Sequence, residues 1–373
     1  SSVTTNSNGN TTNTGIRSRW DPTLTSTRGS QIIADYIRKC MAWTGNSTID
    51  YAVLTHFHND HFGGYNTSLP KSSNSDTYSL IGYAEIFDNF KIGTLLDRGY
   101  PDYNYPFDMA TMADNASSCN NYINAVKWNA NKKFEAAIFK AGANNQIVQK
   151  YNSAKYPTAK VQNVAVNGEI WTGSGTATKK TFPELSEISY KNSKDITASD
   201  NCPPENITSC VMKVSYGNFD FFAGGDLQYN GRSSYAWKDA ELPCAKAVGQ
   251  VEVMKADHHG VTNTNQADAL KALNPQTIVI NSWVDCHPRT DILNSMETTL
   301  PACDIFITNF WQGDRPSGVD DRVTAEEAAR VKGYDGHIVV RVTDGGNKYR
   351  VMTTTDSDGA MTVKAVSGPY TSR

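Results

Sequence analysis

Within "VLTHFHNDHFGG", residues 53–64, stand His56, His58 and His61, three of the chain's seven histidines, together with Asp60. Imidazole nitrogen and carboxylate oxygen are ligands that zinc prefers. His56 and His58 are two apart at the end of a candidate strand, so both can project to one side of an extended segment. Asp60 and His61 follow after one spacer, where the chain has to turn. Gly63 and Gly64 permit that turn and a close backbone approach. The spacing reads as two subsites, His56 with His58 and Asp60 with His61. Structural zinc sites are usually closed by four Cys or His ligands, and no cysteine lies nearby, so the pattern points to a catalytic metal.

The elements that must position this cluster follow from periodicity. A strand over 49–55 runs into it, and a helix near 31–43 precedes it, with Ile32, Ile33, Tyr36, Ile37, Cys40 and Met41 on one apolar face. Two edge strands are expected around 80–86 and 91–96. From about 100 to 156 the chain opens with "YPDYNYPFD" and then reads as helix over 118–140, which we take as a cap inserted over the core. Tyr100, Tyr103, Tyr105 and Phe107 of that loop either pack the cap or cage a quaternary ammonium. Strands are then expected over 160–166 and 168–171, with a hairpin, 209–216 and 219–223, turning at Gly217-Asn218 and delivering Asp226. Strand and helix alternate from 251 to 331, and strands at 336–342, 348–353 and 361–366 close the chain. The pattern implies helices covering sheets, an α/β layered architecture. The opening "SSVTTNSNGNTTNTG" is polar and of low complexity, so residues 1–25 are expected to be disordered, with one domain over 26–373.

Composition narrows the partners. Lys plus Arg is 35 against 38 for Asp plus Glu, a net charge of −3, which argues against an extended phosphate backbone as the main partner. No apolar run approaches the roughly 18–20 residues needed to cross a bilayer. Seven cysteines occur without a CxxC pair, as buried thiols or as one or two disulfides, with Cys202 and Cys210 the closest in sequence. Sequons begin at Asn10, Asn46, Asn66, Asn115 and Asn206. These features favour an exported protein, secreted, periplasmic or at the cell surface.

"THFHNDHFGG" resembles the metallo-β-lactamase superfamily at every position of its HxHxDH signature, and "FFAGGDLQ" and "VMKADHHGVTNTN" resemble its later motifs. The HHG form is similar to the branch containing the hydrolase domain of bacterial DNA-uptake channel proteins and the pneumococcal phosphorylcholine esterase. The resemblance implies an αββα four-layer sandwich and two divalent metal ions, zinc or manganese. His56, His58, Asp60, His61, Asp226 and His259 would be ligands, with Asp226 bridging and His258 beside the site or as the alternative ligand. Two departures stand out. No histidine occurs from 62 to 257, where many members carry a further ligand; Asn206 and Ser209 of "NCPPENITSCVMKV" would stand there, near metal and substrate. The family's opening strands also lack a counterpart, so a preceding segment or a second polypeptide is expected to supply them.

Two metals sharing Asp226 would lower the pKa of a water between them and present hydroxide to an ester. Asp60 would orient that hydroxide, and His258 or His287 would donate a proton or bind substrate charge. His287 reads equally as a helix-start histidine beside Pro288, and His337 reads as an ordinary strand residue. The expected reaction is hydrolysis of a phosphodiester or phosphocholine-type ester, on a small molecule or a glycan. Nuclease and lactonase or β-lactamase activity are the other enzymatic readings, and a non-catalytic surface or binding protein of the same fold is the reading from a different class.

Overall fold

Strand β3 (Thr48–Val53) ends three residues before His56 and pairs in parallel with β4 (Lys91–Asp97), which pairs in parallel with β5 (Glu135–Ile138). Parallel neighbours need crossovers, which here carry the one-turn helix α2 (Asn59–Phe62) with α3 (Tyr83–Asn89), and then α4 (Ala116–Asn129). These helices and α1 (Gly29–Thr44) cover the outer face of the sheet, burying Ala34, Phe87, Tyr122, Ile123 and Val126 against Ala52, Ile92 and Leu95. The computed structural model describes residues 3–5, 11–13, 29–113, 115–188, 201–229, 233–284, 286–311, 323–356 and 360–373. Within the polar opening, Val3–Thr5 (β1) and Thr11–Asn13 (β2) pair as a small antiparallel ribbon, and the rest of the stretch expected to be disordered lies outside the described residues.

The second sheet has nine strands in the order β14-β13-β12-β11-β10-β9-β6-β7-β8. It is mixed. The strands β6 (Lys160–Val166), β7 (Glu169–Trp171), β8 (Thr178–Lys180), β9 (Val211–Tyr216) and β10 (Phe219–Ala223) run antiparallel to their neighbours. From β10 onward, β11 (Val253–Lys255), β12 (Thr277–Ile280), β13 (Asp304–Ile307) and β14 (Val331–Tyr334) are parallel. Their connections are α5 (Glu241–Val248), α6 (Ala267–Leu273), α7 (Thr290–Thr299) and α8 (Ala325–Arg330).

Alternation along these strands sorts side chains to two faces. Phe222, Met254, Ile278, Ile305 and Ile307 meet Ala245, Leu270, Leu273, Leu293 and Met296 of the helices. On the other face, Phe219, Val253 and Phe306 meet Tyr349 and Val351 of a third sheet, β15 (His337–Thr343), β16 (Lys348–Thr354) and β17 (Val363–Thr371). Leu96 and Phe139 from the first sheet's side pack on Val166 and Cys210 of the second. The molecule is therefore a mixed α/β fold of several sheets with helices packed against them, compatible with an α/β sandwich.

Three expectations change. The stretch 80–86 is not an edge strand, because Gly82 turns the chain into α3, and 91–96 lies centrally between β3 and β5. The segment 100–156, expected to be an inserted cap, carries α4, which ends at Asn129 short of the expected 140, and β5, and Tyr103, Phe107, Met109 and Tyr122 are part of the core. All seven cysteines are free thiols, and Cys202 and Cys210 are buried without bonding to each other.

Candidate metal centre

Ligands gather at the carboxyl ends of parallel strands, where loops leave the sheet edge free to build a site. β3 delivers His56–His61, β10 delivers Asp226, β11 delivers the turn Asp257–Gly260, and β12 delivers Asn281–His287. Space below is tight: a Cβ on Gly224 would come 2.0 Å from the Asp257 carboxylate. Burial pushes that Asp257 carboxyl up to about 7. His258 and His259 both adopt left-handed backbone, at φ 44° and 56°, a conformation that costs non-glycine residues about 1–3 kcal/mol each and collects at functional sites.

Asp60, His61, Asp226 and His259 form a group that could hold a metal ion, their ligand atoms all within 4.8 Å of one another. His61 Nε2 is 3.0 Å from Asp226 Oδ2 and 3.2 Å from Asp60 Oδ2. His259 Nε2 is 3.2 Å and 3.4 Å from the same two oxygens. Ligand atoms placed about 2.0–2.2 Å from one zinc in a tetrahedron stand about 3.3–3.6 Å apart, so the donor set suits such an ion. Asp226 faces His61 and His259 with Oδ2, while its buried Oδ1 lies 3.6 Å from Lys255 Nζ. His259 Nδ1 donates to the Asn281 carbonyl at 2.7 Å, which turns Nε2 towards Asp60 and Asp226.

His56 and His58 lie alongside. His56 Nε2 is 3.1 Å from His58 Nδ1 and 3.7 Å from Asp226 Oδ2, which puts Asp226 between the histidine pair and the four-residue group. Thr55 Oγ1 reaches His56 Nδ1 at 3.2 Å and His61 Nδ1 at 3.3 Å, and so orients both rings from behind. Burial, reinforced by the charge of His61, holds His56 well below its usual pKa, so it presents a neutral ring. For His61 burial is outweighed by hydrogen bonds to Asp226 and Asp60, and its pKa rises to about 9. His259 is raised by the same two carboxylates against burial. Asp60 and Asp226 are held far below the carboxylate range, since hydrogen bonds from His259 and His61 overcome desolvation.

The remaining site residues fall around this group. His258 is outside it, 3.9 Å from Asp226 Oδ2, with Asn206 Nδ2 donating to its ring at 3.2 Å. Burial lowers His258 to about 4, so at neutral pH its ring is uncharged and has no imidazolium proton to give. Ser209 lies beneath Asp226. It is fully buried, its hydroxyl donating to the Asn206 carbonyl at 2.7 Å and accepting the Asp226 amide at 3.3 Å. Asn206 is buried with its amide on Gln228 and His258. His287 stacks on His259, centroids 5.8 Å apart and 3° between planes. Trp283, which periodicity did not single out, stands edge-on to both rings, 4.3 Å from His259 and 5.5 Å from His287.

The aromatic loop forms no cage. Tyr103 is buried and its hydroxyl, like that of Tyr122, donates to the buried Asp97. Phe107 instead helps line a cavity of about 130 Å³ beside His58, with Phe57, Pro106, Met109, Ala113 and Pro204. Neither the protein-family models nor the curated proteins contain a match to this chain.

Proposed function

We propose that this protein is a metal-dependent hydrolase with the metallo-β-lactamase fold, holding a pair of divalent ions, zinc or manganese, and acting on a phosphodiester or phosphocholine-type ester. The single observation that carries the reading is the meeting of Asp226 and His259 with the 56–61 cluster, at separations that suit ligands of a common ion. The order of helices, sheet, sheet and helices is compatible with the αββα arrangement, and the HxHxDH and HHG motifs favour the family. Divalent ions at such a centre supply Lewis acidity and lower the pKa of water towards neutrality.

The chain's own residues do the rest. Asp226 ties the His56/His58 side to the Asp60/His61/His259 side. Asp60, open to solvent on one side, orients a water at the mouth of the group. His258, neutral at physiological pH, is the proton acceptor within reach, and Asn206 fixes its ring. Trp283 and His287 wall the opposite side.

The test is metal content by elemental analysis together with turnover of p-nitrophenyl phosphodiesters and p-nitrophenylphosphorylcholine. We expect about two equivalents of zinc or manganese and turnover that chelation abolishes. Asp226→Ala should lose both the metal and the activity. Metal-free protein from metal-replete medium, or an active Asp226→Ala, overturns the proposal.

A further inference from the structure

Phe57 is the spacer between His56 and His58, and both polar groups of its backbone are held by side chains from remote segments. Its N–H donates to Glu205 Oε1 at 2.6 Å. Its carbonyl accepts from Asn115 Nδ2 at 2.8 Å. Glu205 is itself fixed by Arg98, a fully buried guanidinium whose Nε donates to Oε1 at 2.8 Å and whose Nη2 bonds Oε2. Arg98 also donates to the Tyr105 carbonyl at 2.9 Å and lies 4.8 Å from the centroid of the Phe57 ring. The ring is buried edge-to-face against Phe62, Tyr103 and Tyr122.

A buried ion pair is a poor stabiliser, because desolvation offsets the Coulomb gain. What this one does well is present a carboxylate at one fixed place, with its charge already neutralised. Asn115 points the same way. It sits at the N-cap of α4, where asparagine usually caps the helix, yet its side chain makes no capping bond and reaches to Phe57 instead.

Resting on the metal-centre reading above, we infer that Glu205, backed by Arg98, and Asn115 are positioning residues that clamp the Phe57 peptide and thereby set the directions of His56 and His58 as ligands. With Phe57 held at both backbone groups, neither adjacent peptide can rotate, and the two imidazoles keep the 3.1 Å approach of their ring nitrogens. The supply of ligands on this side is short, since no further histidine stands between residues 61 and 258, so pre-set geometry compensates for number.

The test compares Asn115→Ala and Glu205→Gln with Asn121→Ala, an internal control on the same helix. Asn121 clamps the backbone of Ser79 in the same manner, accepting its N–H at 2.7 Å and donating to its carbonyl at 3.1 Å, but it touches no histidine. Full-length protein is loaded with zinc in competition with a chromophoric chelator, and with cobalt to record the visible ligand-field spectrum. Stability of the metal-free form is measured in parallel. Asn115→Ala and Glu205→Gln should weaken the more loosely held zinc equivalent about ten- to a hundred-fold and alter the cobalt spectrum. Asn121→Ala should lower stability and leave both metal readouts unchanged. If Asn115→Ala and Glu205→Gln bind metal like the wild type, the clamp is refuted while the metal centre stands. A wild type that binds no metal refutes both. Asn115 is only half buried, so its variant carries the comparison should the Glu205 variant not fold.

Discussion

At the scale of single residues, the acid–base state of the cluster is set by its own members. Asp60 and Asp226 raise His61 to about 9, so in the metal-free protein this ring is charged at neutral pH. A raised histidine pKa stabilises the fold fully below about 6.5 and loses that contribution as the pH climbs through about 9. Metal competes for the same lone pair. Zinc binding must therefore release the proton of His61, and zinc affinity is expected to rise steadily from pH 6 to pH 9. Calorimetry in buffers of different ionisation enthalpy should find proton release near pH 7, and a flat profile with none would contradict this protonation scheme. Much of the cluster was legible in the sequence because His56, His58, Asp60 and His61 sit within six positions. Asp226 and His259 came only from the resemblance of their motifs, since nothing local marks a carboxylate as a partner of a histidine 165 residues away. Arg98, Glu205 and Trp283 carried no local signal at all. Of the sequons, Asn206 is buried with its amide occupied, Asn46 and Asn115 are half-buried, Asn66 is exposed, and Asn10 lies outside the described residues.

At the scale of elements, turns decide where ligands arrive. After His61 the chain reverses at Gly63, φ 104°, and passes against Gly82, φ 52°, where α3 begins. A Cβ on Gly82 would come 1.8 Å from the Phe62 carbonyl oxygen. Gly82→Ala should therefore cost about 2–4 kcal/mol through overpacking and a left-handed backbone, read as a lower urea midpoint. A midpoint within experimental error of the wild type would show that the two turns do not abut. The same contact explains why 80–86 looks like a strand in sequence: its alternation is cut by a glycine whose conformation the residues do not announce. Helix α4 was expected over 118–140 but stops at Asn129, and β5 follows at Glu135–Ile138. Its buried positions include Ser118, Asn121 and Asn129, which bond the backbone of Tyr65 and Ser79 and the Tyr78 hydroxyl, so its apolar stripe is diluted. Strands β9 and β10, by contrast, match the expected 209–216 and 219–223 within two residues, because their β-branched and aromatic runs are bounded by the Gly217-Asn218 turn.

At the scale of the whole molecule, the candidate metal centre lies across a seam. The histidine cluster belongs to the three-stranded sheet and its helices, whereas Asp226 and His259 belong to the nine-stranded sheet. The two are joined by sheet packing around Leu96, Phe139, Val166 and Cys210, and by the bond from the Cys210 amide to the Thr55 carbonyl. Layered α/β architecture followed from the alternation of elements, but the seam did not, because which face meets which is a property of packing and is invisible to periodicity. A crystal of the zinc-loaded protein, measured on both sides of the zinc absorption edge, tests this arrangement most directly. We predict anomalous density about 2.0–2.2 Å from His61 Nε2, His259 Nε2 and the nearer oxygens of Asp60 and Asp226. Density confined to other surface positions, with these four side chains free of metal, would contradict it.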